Sequence, residues 1–285
     1  MAKYKIVQIT DTHLTAKGDK PANNQMIDPE SKLRRVFKDI IETKVNPNLI
    51  VITGDLVHEG KAHDYKHYRK LIDQAQDDIQ APIRVILGNH DQTKEFYKGY
   101  LQKKAESRYY YKGHLGKWDT YFLDTKCGNI EQGFLDKEQL KWLKNSVKNS
   151  TNSGLIFMHH PVLWAPLENM KYSILQNGYE LLDVLKGTNV KAIVSGHVHF
   201  ANSYMTGGIL NICGDSTAYH INCTHPHNHT VYDATSYNVI DIDSEDVGFE
   251  QRLIYLGDQE INKIKVEDTG FVKKKILKKA LATMK

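Results

Sequence analysis

Five short apolar segments of this chain each run straight into residues that can bind metal. Lys5–Thr10 leads into Asp11-Thr12-His13, Leu49–Thr53 into Gly54-Asp55, and Ile83–Leu87 into Gly88-Asn89-His90-Asp91. Leu155–Met158 leads into His159-His160-Pro161, and Ala192–Ser195 into Gly196-His197-Val198-His199. Runs this short, rich in Ile and Val and ended by polar or turn residues, read as buried strands. Ligands of an open α/β sheet gather at the carboxyl ends of its strands, so one rim could collect all five pieces. That requirement, strands pointing the same way toward one site, restricts the fold more than any other feature.

The segments between them read as helices. Leu33, Val36, Phe37, Ile40 and Ile41 recur at helical spacing from about Ser31, which can act as the cap. A tyrosine-bearing helix carries Tyr65, Tyr68, Leu71 and Ile72, and Lys94–Lys104, Asp136–Lys148 and Tyr179–Lys186 also read as helical. Arg108–Lys112 and Trp118–Asp124 read as neighbouring strands; after Phe200 the chain turns mostly to strands, at Gly208–Cys213, Ser236–Asp243 and Phe249–Leu256. Strands interrupted by helices, followed by β-rich segments, suggest an α/β protein of two mixed sheets packed together with helices outside.

Composition narrows the class further. With 285 residues, 40% hydrophobic and 25% charged, the chain can bury a core, and disorder is not expected. Cys127, Cys213 and Cys223 have no paired spacing, which fits a reducing compartment. The N-terminus reads as a strand rather than a signal peptide, and no apolar run approaches bilayer length, so a cytoplasmic protein without stable membrane insertion is expected. A formal charge of +4, spread along the chain, gives no reason to expect nucleic acid as a partner.

The candidate ligands are Asp11, His13, Asp55, Asn89, His159, His197 and His199. They combine carboxylate, amide oxygen and imidazole without thiolate, a set suited to Mn, Fe or Zn. In extended chain, residues i and i+2 project to the same side, so Asp11 with His13, and His197 with His199, can face one site. Seven donors suffice for two ions about 3.5–4 Å apart while leaving positions open for water and phosphate.

The combined set Asp-x-His, Gly-Asp, Gly-Asn-His-Asp, His-His-Pro and Gly-His-x-His resembles the calcineurin-like metallophosphoesterase superfamily over roughly residues 4 to 215. The opening Gln8-Ile-Thr-Asp-Thr-His13, with Gly54-Asp-Leu56, is most similar to its class III cyclic-nucleotide phosphodiesterase branch. The resemblance implies a four-layer α/β/β/α sandwich, with Asp11, His13 and His199 on one ion, Asn89, His159 and His197 on the other, and Asp55 bridging. His90 would stand beside the substrate phosphate and stabilise or protonate the leaving oxygen. The implied activity is a dinuclear-metal phosphodiesterase, acting on 3′,5′-cyclic nucleotides or, alternatively, on glycerophosphodiesters, nucleotide polyphosphates or envelope phosphate compounds. A nuclease or a non-catalytic module is a weaker reading. Residues 1–260 would form this domain, β-rich from about 200, and 261–285 a basic C-terminal helix or tail.

One position departs from the pattern. Many relatives carry a carboxylate three residues after the bridging aspartate, able to orient the catalytic histidine; here His58 stands there, followed by Glu59. Either Asp91 or Glu59 could orient His90, or nothing does, while His160 could touch substrate or simply pack. His63 and His67 could share a helix face, and Tyr109-Tyr110-Tyr111 could stack bases or alternate in a strand. The segment His220–His229, with four histidines and Cys223, could be an exposed loop, the rim of the cleft or a separate metal site. The lysines from Lys273 to Lys279 alternate with apolar residues, which suits packing on the domain, a homodimer contact or an anionic surface.

Overall fold

The computed structural model describes residues 3–244 and 246–284. The first half contains β1 (Tyr4–Ile9), the two-residue β2 (Leu14–Thr15), α1 (Pro29–Glu42), β3 (Leu49–Thr53), the two-residue β4 (Val57–His58), α2 (Ala62–Ile79), β5 (Ile83–Ile86) and α3 (Thr93–Phe96). Then come β6 (Tyr111–Leu115), β7 (Trp118–Phe122), α4 (Lys137–Lys148), β8 (Ser153–Phe157), α5 (Gly178–Leu185), β9 (Val190–Ser195), β10 (Asn202–Thr206) and β11 (Ile209–Cys213). The chain closes with β12 (Tyr219–Asn222), β13 (Asn228–Ile242), β14 (Val247–Lys265) and α6 (Lys274–Ala282).

Two six-stranded mixed sheets result. In the first, β1, β3 and β5 are parallel; β13 runs antiparallel beside β1, and β12 and β14 pair with β13. In the second, β11, β9, β8 and β7 are parallel and the edges β10 and β6 antiparallel. Successive side chains of a strand point to opposite faces, and here both faces are covered. Ile6, Val51, Leu155, Phe157 and Val194 meet between the sheets. Val7, Ile9, Ile50 and Ile52 pack outward against α1 and α2, while Ile156, Met158 and Ile193 pack against α4 and α5. This is the four-layer α/β/β/α sandwich. Gln8 ties the two sheets beside their common rim, donating to Ser195 O (2.7 Å) and accepting from Asn238 Nδ2 (2.9 Å).

Several boundaries differ from expectation for identifiable reasons. α1 starts at Pro29, and its cap is Asp28, whose Oδ2 accepts from Ser31 N at 3.1 Å. Proline suits the first helical position because its missing N–H would have no partner there. Ile41 is 47% exposed, off the apolar face. The helix expected over Lys94–Lys104 is α3 continuing into a π-helical turn, Tyr97–Leu101, and ends where Gln102 adopts φ 53°. The strand expected at Arg108–Lys112 is shifted to β6, which pairs with β7 as anticipated. β13 and β14 are far longer than expected, and β14 runs to Lys265, past the boundary drawn at 261. Beyond it, α6 lies on its own domain: Gly128 N–H reaches Met284 Sδ at 2.8 Å, and Val272 N–H donates to Gln176 Oε1 at 2.8 Å. Among the described residues no helix is long and apolar enough to cross a membrane.

Candidate metal centre

The loops after β1, β3, β5, β8 and β9 open on one rim, and they carry all seven candidate ligands. The backbone there is not extended. Asp11, His13, Asp55, His197 and His199 all have positive φ, between 41° and 71°. The same-side argument from extended spacing therefore fails. Three of the five strands, β1, β3 and β9, end in a sharp left-handed turn, a sparsely populated conformation that persists where surrounding structure over-determines it. The turns separate His197 from His199: the first lies against His159, the second against Asp11 and His13. The glycines preceding these ligands leave them room. A Cβ on Gly54 (φ 96°) would fall 2.5 Å from His159 Nδ1, and one on Gly88 would fall 2.1 Å from Asp55 Oδ1.

Hydrogen bonds on the outer side of the imidazoles decide what faces inward. His159 Nδ1 donates to Thr53 O (2.8 Å) and His199 Nδ1 to Tyr219 O (2.8 Å). In neutral rings each Nε2 then carries a lone pair. His159 Nε2 lies 3.0 Å from Asn89 Oδ1 and 3.4 Å from Asp55 Oδ2. His199 Nε2 lies 3.3 Å from Asp11 Oδ1 and 3.2 Å from His13 Nε2. Asp55 Oδ2 is also 3.5 Å from His13 Nε2, so one oxygen faces both groups of imidazoles. Asp11 Oδ1 and His197 Nε2 are buried with no hydrogen-bond partner. Buried acceptors converging on one another without hydrogens carry a large desolvation cost, and cations relieve it. The donor set therefore fits metal ions.

Burial and the neighbouring charges pull the ionisable groups of the cluster in opposite directions. Burial opposes a charge on His159, yet Asp55 and Asp11 push its imidazole up to about 9. Burial and the neighbouring His159 drive His197 down to about 3. Burial would raise the Asp55 carboxyl, but the surrounding histidines hold it well below the usual range. Opposed shifts of this kind in one cluster mark a functional site rather than a packed core.

The histidines around the ligands divide by their contacts. His90 stands on the cavity wall, stacked on His58 with ring centroids 4.4 Å apart, and among the described residues no carboxylate pairs with its ring. Of the two carboxylates considered for orienting it, Asp91 points away. Asp91 accepts from Gly88 N (2.9 Å), Leu56 N (3.1 Å), Val57 N (3.3 Å) and Tyr65 Oη (2.9 Å), bracing the loops after β3 and β5. Burial and Asp55 raise its carboxyl to about 6 against those donors. Glu59 meets His90 only through backbone, donating its N–H to His90 O at 3.2 Å. His160 packs behind the site, its Nδ1 on Thr125 Oγ1 (2.7 Å) and its Nε2 on Glu131 O (2.8 Å), which leaves neither nitrogen free for metal or substrate.

Other sequence features lie outside the ligand cluster, although Ile221 of the histidine-rich segment lines the cavity. His67 and His63 each face a separate carboxylate, Glu30 at 2.7 Å and Asp64 at 3.2 Å. Tyr109 packs on Phe96 and Tyr111 on Phe122, so these rings serve the core. His220–His229 forms the end of the β12–β13 hairpin: His220 meets Asp215 (3.0 Å), His227 meets Val266 O (2.9 Å), and His229 is buried beside Tyr172. No metal-sized cluster among the described residues includes them.

Motif reading missed Lys126, whose Nζ donates to Asn89 O, and Tyr219, whose ring stacks on His199 at 4.2 Å. Neither carries a local signal; both arrive through long-range packing. A cavity of about 520 Å³ lies over this floor. Tyr172, Ile221, Ile264 and Val266 wall its far side, and Glu131, Glu267 and Asp268 also line it.

Residues 4–201 match the family described as Calcineurin-like phosphoesterase. The chain belongs to that family. This calcineurin-like phosphoesterase is 27% identical over 219 residues, 76% of its length and 72% of the other, to a probable cyclic nucleotide phosphodiesterase of Rhodococcus erythropolis. It is 29% identical over 227 residues, 76% and 79% of the two chains, to the probable glycerophosphodiester phosphodiesterase GpdQ of Arcobacter nitrofigilis. It is also 29% identical over 198 residues, 68% and 69%, to the 3′,5′-cyclic adenosine monophosphate phosphodiesterase CpdA of Haemophilus influenzae. In fold it is similar to a dimetal phosphatase from Danio rerio, with a TM-score of 0.57 at 15% identity over 87% and 98% of the chains. The protein is a metal-dependent phosphodiesterase, and its histidine–aspartate clusters occupy the dinuclear site of the fold.

Proposed function

We propose that this phosphodiesterase hydrolyses a small phosphodiester, foremost a 3′,5′-cyclic nucleotide, to the corresponding monoester. The observation that carries the reading is the shape of the chamber. Its floor of ligands is roofed by the end of β14 and by Tyr172 and Ile221, leaving about 520 Å³, a volume suited to one small molecule. Among the described residues no arginine and a single lysine, Lys265, line it, against Glu131, Glu267 and Asp268, which disfavours a polyanion that must have several phosphates neutralised.

Asp11, His13 and His199 would hold one ion, and Asn89, His159 and His197 the other, with Asp55 Oδ2 shared. The oxygen and nitrogen donors suit Mn, Fe or Zn. Such a pair, when bound, makes water a nucleophile near neutral pH and neutralises phosphate oxygens. His90, on the cavity wall, would hydrogen-bond the departing ester oxygen through its ring N–H and deliver a proton to it. Asp91 and Lys126 hold the loop that carries Asn89 and His90 at its place on the rim. Tyr172, Ile221 and Ile264 offer an apolar surface to a base.

The second reading, a glycerophosphodiester, is favoured by the GpdQ relative and uses the same floor. The two separate in one assay: metal-free protein is reloaded with Mn²⁺ and given 3′,5′-cAMP, glycerophosphocholine and bis-p-nitrophenyl phosphate. Turnover of cAMP above the other natural diester is expected. Cleavage of the synthetic diester and glycerophosphocholine with none of cAMP would replace the cyclic-nucleotide assignment.

A further inference from the structure

His13 is 1% exposed, and its two ring nitrogens face different neighbours. Nε2 looks into the ligand cluster, 3.5 Å from Asp55 Oδ2 and 3.2 Å from His199 Nε2. Nδ1 lies 3.1 Å from His58 Nδ1. A histidine that offers its Nε2 lone pair to a cation carries its proton on Nδ1, and a buried N–H of that kind needs an acceptor. Among the described residues, the His58 ring supplies it. From this contact we infer that His58 is a positioning residue for the metal ligand His13. It presents a lone pair at Nδ1, keeps its own proton on Nε2, and so fixes the tautomer and ring orientation of His13.

The identity of residue 58 has a consequence of its own. A carboxylate could accept the same proton, but it would add a third negative charge beside Asp11 and Asp55. Imidazole accepts without adding one. The same ring also stacks on His90 at 4.4 Å with 26° between the planes, so His58 sets the plane of the substrate-facing histidine while it holds the ligand. One side chain thus couples the first ion position to the leaving-group side of the cavity. This inference rests on the dinuclear reading of the site.

The test is calorimetric titration of metal-free protein with Mn²⁺, comparing wild type with His58→Leu and His58→Asn. Loss of an outer partner of a ligating histidine typically weakens metal binding about 10–100-fold. His58→Leu should weaken one of two binding events by that amount and leave the other largely intact. His58→Asn, whose side-chain carbonyl can accept from His13, should recover most of the loss. Melting temperatures of the metal-free variants, close to wild type, separate positioning from general loosening. Unchanged affinities in His58→Leu, an equal fall in both events, or an asparagine no better than leucine would overturn the inference and leave the dinuclear reading standing. Wild-type protein that binds fewer than two ions would instead refute the reading and the inference together.

Discussion

The ligand cluster beneath the cavity comes from five strand ends between residues 11 and 199, three of which line the cavity directly, whereas its roof is assembled from residues 22–23, 170–172, 219–221 and 264–268. Floor residues are almost wholly buried and hold one another: Asp11, His13, His159 and His199 are 0–3% exposed, and each has partners on a different strand end. Roof residues are mixed, with Met170, Tyr219, Ile221 and Val266 buried, Asn23, Tyr172 and Ile264 half-buried and Lys265, Glu267 and Asp268 exposed, and they are supplied by loops and by the antiparallel extension of the first sheet. The family match ends at residue 201, so much of the roof lies outside it. A buried polar network tolerates little change because every member satisfies another. A partly exposed apolar wall can change one contact at a time. On the proposed function, the floor would carry the chemistry and the roof the choice of substrate.

Substitutions can break this division or sharpen it. Asp55→Ala removes an oxygen that lies within 3.5 Å of imidazoles of both groups, and it should abolish metal-dependent hydrolysis together with both bound ions, measured by elemental analysis after gel filtration. His90→Ala should keep both ions yet lower kcat by about 10²–10⁴-fold, the usual worth of a positioned proton donor. A fully active His90→Ala enzyme would remove that role. Asp91→Leu strands several buried donors at once, at about 1–3 kcal/mol for each unsatisfied group. Its main effect should be a lower melting temperature of the metal-free protein, which a calorimeter would read. Ile221→Ala, in the roof, should raise KM for a cyclic nucleotide on the order of tenfold, as loss of apolar contact in a pocket does, with little effect on kcat. If Ile221→Ala instead lowered kcat as far as His90→Ala, the division of labour would fail.

The same division explains what could be read from the chain. Strand-end motifs are local: a few adjacent residues contain both the end of an apolar run and the ligand, so Asp11, Asp55, Asn89, His159 and His197 were recognisable before any packing was known. The four-layer order was implied by the family resemblance, while the alternation of helices and strands suggested two packed sheets with helices outside; Ile6 and Val7 bury opposite faces of β1 in agreement with both. The left-handed turns at Asp11 and His197 were not legible, because extended spacing and a tight turn place residues i and i+2 near one another for different reasons. Nor was the work of Asp91, whose donors come from loops up to 35 residues away. His160 sits directly beside a ligand in sequence, yet its ring is drawn to Thr125 and the Glu131 carbonyl. In the roof only the histidine-rich segment His220–His229 drew notice in the sequence, and it reaches the cavity through Ile221 rather than through its histidines. Ile264 and Tyr172 reach the cavity only because β14 runs farther than its apolar core suggested and because the chain between β8 and α5 folds back over the rim.

The most direct test of the account is a metal titration of activity. Protein stripped by chelation is reloaded with increasing Mn²⁺ while hydrolysis of bis-p-nitrophenyl phosphate and bound metal are followed together. The account predicts no turnover in the stripped protein and full activity only as two ions per chain bind. Full activity at one ion per chain, or activity indifferent to chelation, would contradict it.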